Sequence, residues 1–185
     1  LAESFGKYLV LEPYLATVIL GGGVLKRAGS AEQKADNIPA IADGSRTFAL
    51  ATTERHSRYD LFDVTTSAKK DGASYILDGE KAVVLNGGTA DRIIVSARTA
   101  GSRRDKGGIG LFMVAGDAPG VGRRSSPTQD GTHAAEITLS GVRVEPAGVL
   151  GDPEGGLSVL EAVADEAIAA VCADAVGAMS ELTDI

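Results

Sequence analysis

Apolar residues recur at three- and four-residue steps near both ends of the chain, and fall into short runs and alternations between them. Leu157, Leu160, Ala164, Ile168, Val171 and Ala175 trace one such face, and the spacing predicts a long helix from Leu157 onward. Residues 1–27 are helical in character, with Pro13 placed to open a second helix, since proline suits a first turn. Ser30 followed by Gln33 predicts a capping box, in which backbone and side chain at the two positions satisfy each other. That helix is expected to reach about Ala42 and to close at Gly44, a C-terminal glycine. Pro39 inside it is expected to end or kink it, because proline lacks the N–H that the helix ladder uses.

From Arg46 the period changes. Strands are predicted at Phe48 to Thr53, weakly at Val64 to Lys70, at Tyr75 to Leu77 and at Ala82 to Leu85. More follow at Arg92 to Ala97, Ile109 to Val114, Val121 to Ser126 and Ala134 to Leu139. Turns are expected at Asp71-Gly72, Asp78-Gly79 and Asn86-Gly87-Gly88. Short strands at this spacing predict a two-sheet antiparallel, barrel-like domain. Helices on either side of it make the class α+β. Gly151 to Gly156 reads as a hinge. The expected division is 1–45, the end of a helical domain; 46–150, the β domain; and 151–185, the first helix of an incomplete helical domain.

Composition narrows the function. The net charge of −7 argues against a nucleic-acid partner. No Lys or Arg follows Arg143, while nine acidic residues do, so an anionic ligand is expected to avoid that tail. One cysteine, Cys172, allows no internal disulfide, and a cytoplasmic location is the default. The longest apolar run, Tyr14 to Leu25, is interrupted by Thr17 and three glycines and is too short to span a membrane. Gly21-Gly22-Gly23 lacks a preceding strand and has Lys26 at the last glycine position of a dinucleotide fingerprint, so tight packing is the expected role. Leu1 and Ile185 each fall inside a helical pattern, and the sequence is read as an internal piece of a longer chain.

Four stretches in order carry a family likeness. They are Gly29-Ser30-Ala31-Glu32-Gln33-Lys34 with Pro39 to Gly44; Ala51-Thr52-Thr53-Glu54 to Asp60; Tyr75-Ile76-Leu77-Asp78-Gly79-Glu80-Lys81 with Asn86-Gly87-Gly88 and Ala90-Asp91; and Val142-Arg143-Val144 with Leu150-Gly151. Together they resemble the acyl-CoA dehydrogenases, across nearly the whole chain. The resemblance implies FAD as cofactor, an acyl-CoA thioester as substrate, and removal of hydrogens from its Cα and Cβ. It also implies an electron-transfer flavoprotein as acceptor and assembly into a homo- or hetero-oligomer with a related subunit. Ser57 to Val64 and Pro127 to Gly131 resemble the small subunit of bacterial pimeloyl-CoA dehydrogenase. That likeness points to dicarboxyl- or long-chain acyl-CoA substrates.

Carried over residue by residue, the likeness makes Leu50, Ala51, Thr52 and Thr53, with Val83, Val84 and Leu85, the flavin-binding positions. Donors at strand ends suit the negative edge of a reduced flavin. Tyr59 and Asp165 fall at substrate-contacting positions. Three departures stand out: the family's Gly-Ser pair is Arg58-Tyr59, its Trp-x-Thr is Val83-Val84-Leu85, and an arginine of the following helix is Ile168. Glu166 lies one position from the catalytic glutamate of some relatives, and one step is about 100° of helix turn. No catalytic base is therefore expected within these residues, and the piece alone is expected to be inactive. His56, His133 and Cys172 have no metal-ligand spacing. Arg98, Arg103, Arg104 and Lys106 are read as a solvated loop, with contact to CoA phosphates as the sharper alternative. A non-catalytic subunit supporting a homologue's flavin site, and an unrelated β-barrel binding module, are the competing readings.

Overall fold

A computed structural model describes residues 1–184. The first helix, α1, is Ala2–Tyr8, and Leu9 turns the chain in a left-handed conformation (φ 51°). A π-helical stretch, Leu15–Gly21, runs directly into α2, Gly22–Ala28. Its wide turn sets Thr17 against the first strand, β1 (Phe48–Ala51). The Thr17 hydroxyl accepts from the Phe48 N–H at 3.1 Å and donates to the Phe48 carbonyl at 3.3 Å. The glycine triplet is packing: a Cβ on Gly21 would lie 2.5 Å from that of Phe48, and one on Gly23 3.3 Å from Val163.

Helix α3, Ala31–Ala42, carries the expected capping box. The Gln33 N–H donates to Ser30 Oγ at 3.2 Å, and the Ser30 N–H donates to Gln33 Oε1 at 2.7 Å. Pro39 does not end this helix. Its ring is on the exposed side, as is Ala35, whose carbonyl loses its partner, so water can take over that bond. The last turn is closed by Asp43 N–H donating to the Pro39 carbonyl at 3.0 Å, and Gly44 follows at φ 77°. The final helix, α4, is Gly156–Thr183. It crosses α1 at Gly6 and Gly177, where a Cβ on either glycine would overlap a backbone carbonyl of the other helix.

The remaining strands are β2 (Ser67–Asp71), β3 (Ser74–Leu85), β4 (Arg92–Arg98), β5 (Ile109–Ala115), β6 (Val121–Pro127), β7 (His133–Val144) and β8 (Val149–Leu150). They form one mixed sheet in the order β6-β7-β3-β2-β4-β5-β8, with β1 also on β4. This corrects the expected two-sheet antiparallel, barrel-like domain. Both β1 and β2 run parallel to β4, and the sheet is not closed. The physical reason lies at its ends. Strand β6 is mostly exposed and carries Arg123, Arg124 and Pro127, features that discourage further pairing. At the other end β8 has only two residues. The sheet still encloses a core, because Ile93, Val95 and Phe112 share one buried cluster with Leu77, Ile137 and Val142 from the opposite half. A second cluster joins Phe48, Ile94 and Leu111 of the sheet to Val24, Leu25 and Leu160 of the helices.

Strand β3 also differs from expectation. Asp78-Gly79 is not a turn but a register shift within one continuous strand. Gly79 has φ 150°, and a Cβ there would lie 2.7 Å from Thr66. A second shift lies between Lys81 and Val84, leaving Ala82 and Val83 opposite the single residue Glu136. That bulge puts Val83 at φ 51°, a left-handed conformation that a β-branched residue rarely adopts.

Candidate functional site

Strands β1 and β2 lie along the same edge of β4, β1 against Arg92–Val95 and β2 against Arg98. The chain between them leaves the edge after Ala51 and returns at Ser67. A buried carboxylate ties its two feet together. Glu54 accepts the Thr65 N–H at 2.9 Å, the Thr66 N–H at 3.0 Å and the Thr65 hydroxyl. Lys81, from β3, donates to Glu54 Oε1 at 2.8 Å, to Ser96 Oγ at 3.1 Å and to the Thr52 carbonyl at 3.3 Å. Burial on its own would raise the Glu54 carboxyl, but the Lys81 charge and hydrogen bond and the threonine donors bring it down to about 2. Burial lowers Lys81 to about 8 against the pull of Glu54, so both are charged at neutral pH.

The loop is pinned at further points. The Glu54 N–H donates to Ser57 Oγ at 2.9 Å, and that hydroxyl donates back to the Glu54 carbonyl at 3.0 Å. Asp63 is buried and takes a two-pronged bond from Arg103. The Arg103 hydrogen bond holds the Asp63 carboxyl below the usual carboxylate range, despite desolvation. Arg98 donates to the carbonyls of Phe62, Arg103, Asp105 and Gly107. The arginines expected to form a solvated loop are thus partly structural. Of that group, Arg98, Arg103 and Arg104 hold protein partners rather than presenting free cations, Arg104 donating to Asp60 at 2.9 Å.

The same anchoring brings the two halves of the flavin-like motif together. The Ala82 N–H donates to the Thr53 carbonyl at 2.8 Å, so Thr52-Thr53 lies beside the β3 bulge. Among the described residues neither threonine hydroxyl has a hydrogen-bond partner, and both side chains are half-buried. Ala51 and Val84 are enclosed in the sheet core, while Leu50 packs toward the helices. Val83 stands on the bulge, 66% exposed. Tyr59 is 98% exposed at the loop tip, next to Arg58 at φ 50°. Asp165 is exposed on α4, and Glu166 is bound to Arg27 at 2.6 Å. Asp91, another residue of the motif, is a brace: its carboxylate accepts from the Thr47 N–H at 2.7 Å and the Thr47 hydroxyl at 2.9 Å.

Leu85 and Asn86, at the end of β3, open onto a cavity of about 580 Å³. That size is ordinary for a small-molecule site. One side is apolar and comes from the helices and the connection after α1: Phe5, Leu11, Tyr14, Leu15 and Val171. Phe5 and Tyr14 meet edge to face, 5.0 Å between ring centres. The other side is polar and comes from the β6–β7 hairpin, with Ser125, Asp130, Thr132 and His133. Of the expected cofactor residues only Leu85 is on this wall; Tyr59 and Asp165 are off it. The helical wall was not singled out in the sequence, although its Phe5 and Tyr14 are two of the chain's eight Phe and Tyr residues, with Tyr8 close by in sequence. That clustering in an aromatic-poor chain was the available signal.

Residues 49–142 match the family model for the acyl-CoA dehydrogenase middle domain. A probable acyl-CoA dehydrogenase of Bacillus subtilis is 33% identical over 168 residues, 89% of this chain and 44% of the relative. The crystal structure of a prolyl acyl carrier protein oxidase matches with a TM-score of 0.91 at 28% identity, over 99% of this chain and 50% of that one. A glutaryl-CoA dehydrogenase from Mycobacterium smegmatis, in complex with FADH2, matches with a TM-score of 0.77 at 30% identity, over 86% of this chain and 40% of that one. The chain thus spans about half the length of the proteins it resembles, or less. Among the described residues no helix is long and apolar enough to cross a membrane. With the model match centred on the β strands and the flanking helices superposing as well, the chain belongs to the acyl-CoA dehydrogenase family.

Proposed function

We propose that this chain supplies the β domain and adjoining helices of an FAD-dependent enzyme that oxidises the Cα–Cβ bond of an acyl-CoA thioester. The observation that carries the reading is the cavity at the end of β3. It joins an apolar helical wall to the strand that carries the family's flavin motif. The donor set fits a flavin on one side: the unpartnered Thr52 and Thr53 hydroxyls suit its electron-rich edge. A relative of known structure is described as a complex with FADH2. A flavin held there would supply the oxidising chemistry for the Cα–Cβ bond, with Thr52 and Thr53 as donors to its edge.

The chain's own residues have positioning roles. Lys81 and Glu54 hold the Thr52-Thr53 segment beside the β3 bulge. Phe5, Leu11 and Tyr14 exclude water from the acyl chain. Tyr59 and Asp165, exposed outside the cavity, meet the CoA arm. The carboxylate base lies outside residues 1–185, and an electron-transfer flavoprotein takes the electrons. The division into 1–45, 46–150 and 151–185 stands as part of this proposal. Ile168, Val176, Met179 and Leu182 of α4 are exposed, which supports further helices covering that face in an oligomeric enzyme.

Leu85 offers no hydroxyl and Val83 no aromatic ring, and these favour a second reading: a small subunit that completes a homologue's flavin site. Purification of the full-length protein alone decides between them. A flavin spectrum retained through gel filtration supports the first reading. Flavin held only after co-expression with a homologous subunit supports the second, and no flavin in either preparation removes both.

A further inference from the structure

The polarity of the cavity wall bears on which acyl groups can enter. Among the described residues its acidic and basic side chains are Glu12, Asp130, Asp174 and His133, with no Lys or Arg. Asp130 is held ionised: its carboxylate accepts from the Thr128 hydroxyl at 2.5 Å, the Thr132 hydroxyl at 2.9 Å and the Thr132 N–H at 3.1 Å. These bonds, that of Thr128 foremost, lower its pKa. The neighbouring arginines are already engaged. On β6, Arg123 donates to the carbonyls of Gly88 and Ala90 at 3.3 and 3.0 Å, and Arg124 pairs with Glu136. On the helical side Lys7 pairs with Glu181 at 3.0 Å and Arg27 with Glu166 at 2.6 Å. Among the described residues His133 is the one basic side chain on the wall, and three carboxylates share the wall with it.

Resting on the acyl-CoA reading of this cavity, we propose that it selects thioesters whose acyl tail is an uncharged hydrocarbon and rejects tails that end in a carboxylate. A terminal carboxylate drawn into the cavity would lose its water without gaining a cation. It would also be repelled by the acidic side chains already there. A hydrocarbon tail loses nothing of the kind, and gains the apolar faces of Phe5, Leu11, Tyr14 and Val171. Of the two substrate classes suggested by sequence resemblance, dicarboxyl and long-chain, the wall favours the second.

The test uses the full-length flavoprotein and two probes of equal length: octanoyl-CoA, and the mono-CoA thioester of octanedioic acid. Anaerobic flavin bleaching and calorimetric binding are measured for both. The expected result is a kcat/KM about a hundredfold lower for the carboxylated probe, and a Kd at least about tenfold weaker. Glu12→Gln with Asp130→Asn should then improve binding of the carboxylated probe severalfold. Equal or better binding and turnover of the carboxylated probe would overturn the proposal while leaving the enzyme reading intact. Octanoyl-CoA neither binding nor bleaching the flavin would overturn the enzyme reading, and this proposal with it.

Discussion

Lys81 Nζ lies 2.8 Å from Glu54 Oε1, and the two residues are 1% and 3% exposed. One belongs to the strand β3 and the other to the foot of the loop between β1 and β2, so this pair joins two motifs far apart in the chain. Losing either charge leaves the other buried without its counter-charge. Lys81→Met or Glu54→Gln should each lower stability by about 3–5 kcal/mol, read by urea denaturation. The double variant Lys81→Met/Glu54→Leu should recover much of the loss, and no recovery would mean that the pair is not the anchor.

The same pair sets an acid response. Glu54 titrates near 2 when folded, below its ordinary 4.5, so its contribution is fully present above pH 4.5 and is lost as pH falls through about 2. Unfolding midpoints measured between pH 6 and pH 2 should drop less steeply in Glu54→Gln than in the unaltered protein. Parallel curves would contradict the lowered pKa.

Val83 combines a left-handed backbone with a side chain that buries little. Replacing it with glycine removes strain of about 1–2 kcal/mol and restores part as chain entropy. Val83→Gly should therefore raise stability by about 0.5–1 kcal/mol, whereas Val83→Pro should be severely destabilising. A loss of stability in Val83→Gly would show that the bulge is held differently.

At the crossing of α1 and α4, Gly6 faces the backbone of Asp174, and Gly177 that of Glu3. Gly177→Ala should push the helices apart, costing about 1–3 kcal/mol. Faster hydrogen exchange in α1, with the sheet unaffected, is the expected signature.

Features governed by neighbours in sequence were legible beforehand. The Ser30–Gln33 capping box, the β-branched run of β4, the apolar run of β5 and the glycine ending of α3 all depend on local chemistry. What was not legible depends on contacts across the fold. Nothing near Asp78-Gly79 says that Thr66 will pass so close that a Cβ at position 79 would lie 2.7 Å from it, or that the apparent turn will be a bulge. The open edge at β6 could be read only in part from Arg123, Arg124 and Pro127. The cavity wall joins residues 5–15 to 125–133 and 170–174, a juxtaposition that no motif announces. Leu85 was singled out through family resemblance, and the structure adds that it is the only one of the expected cofactor residues on that wall.

Restoring the family's side chains at the bulge tests the flavin reading. Val83→Trp with Leu85→Thr supplies an aromatic face and a hydroxyl donor. In the full-length protein this pair should tighten FAD binding by about tenfold, the worth of one stacking contact or hydrogen bond. Weaker binding would place the flavin elsewhere.

The most direct test of the central claim is anaerobic titration of the full-length flavoprotein, with its homologous subunit where flavin retention requires one, using octanoyl-CoA. Bleaching of the oxidised flavin band with formation of the α,β-enoyl-CoA is the expected result. An unchanged spectrum at saturating thioester, with no enoyl product, would contradict it.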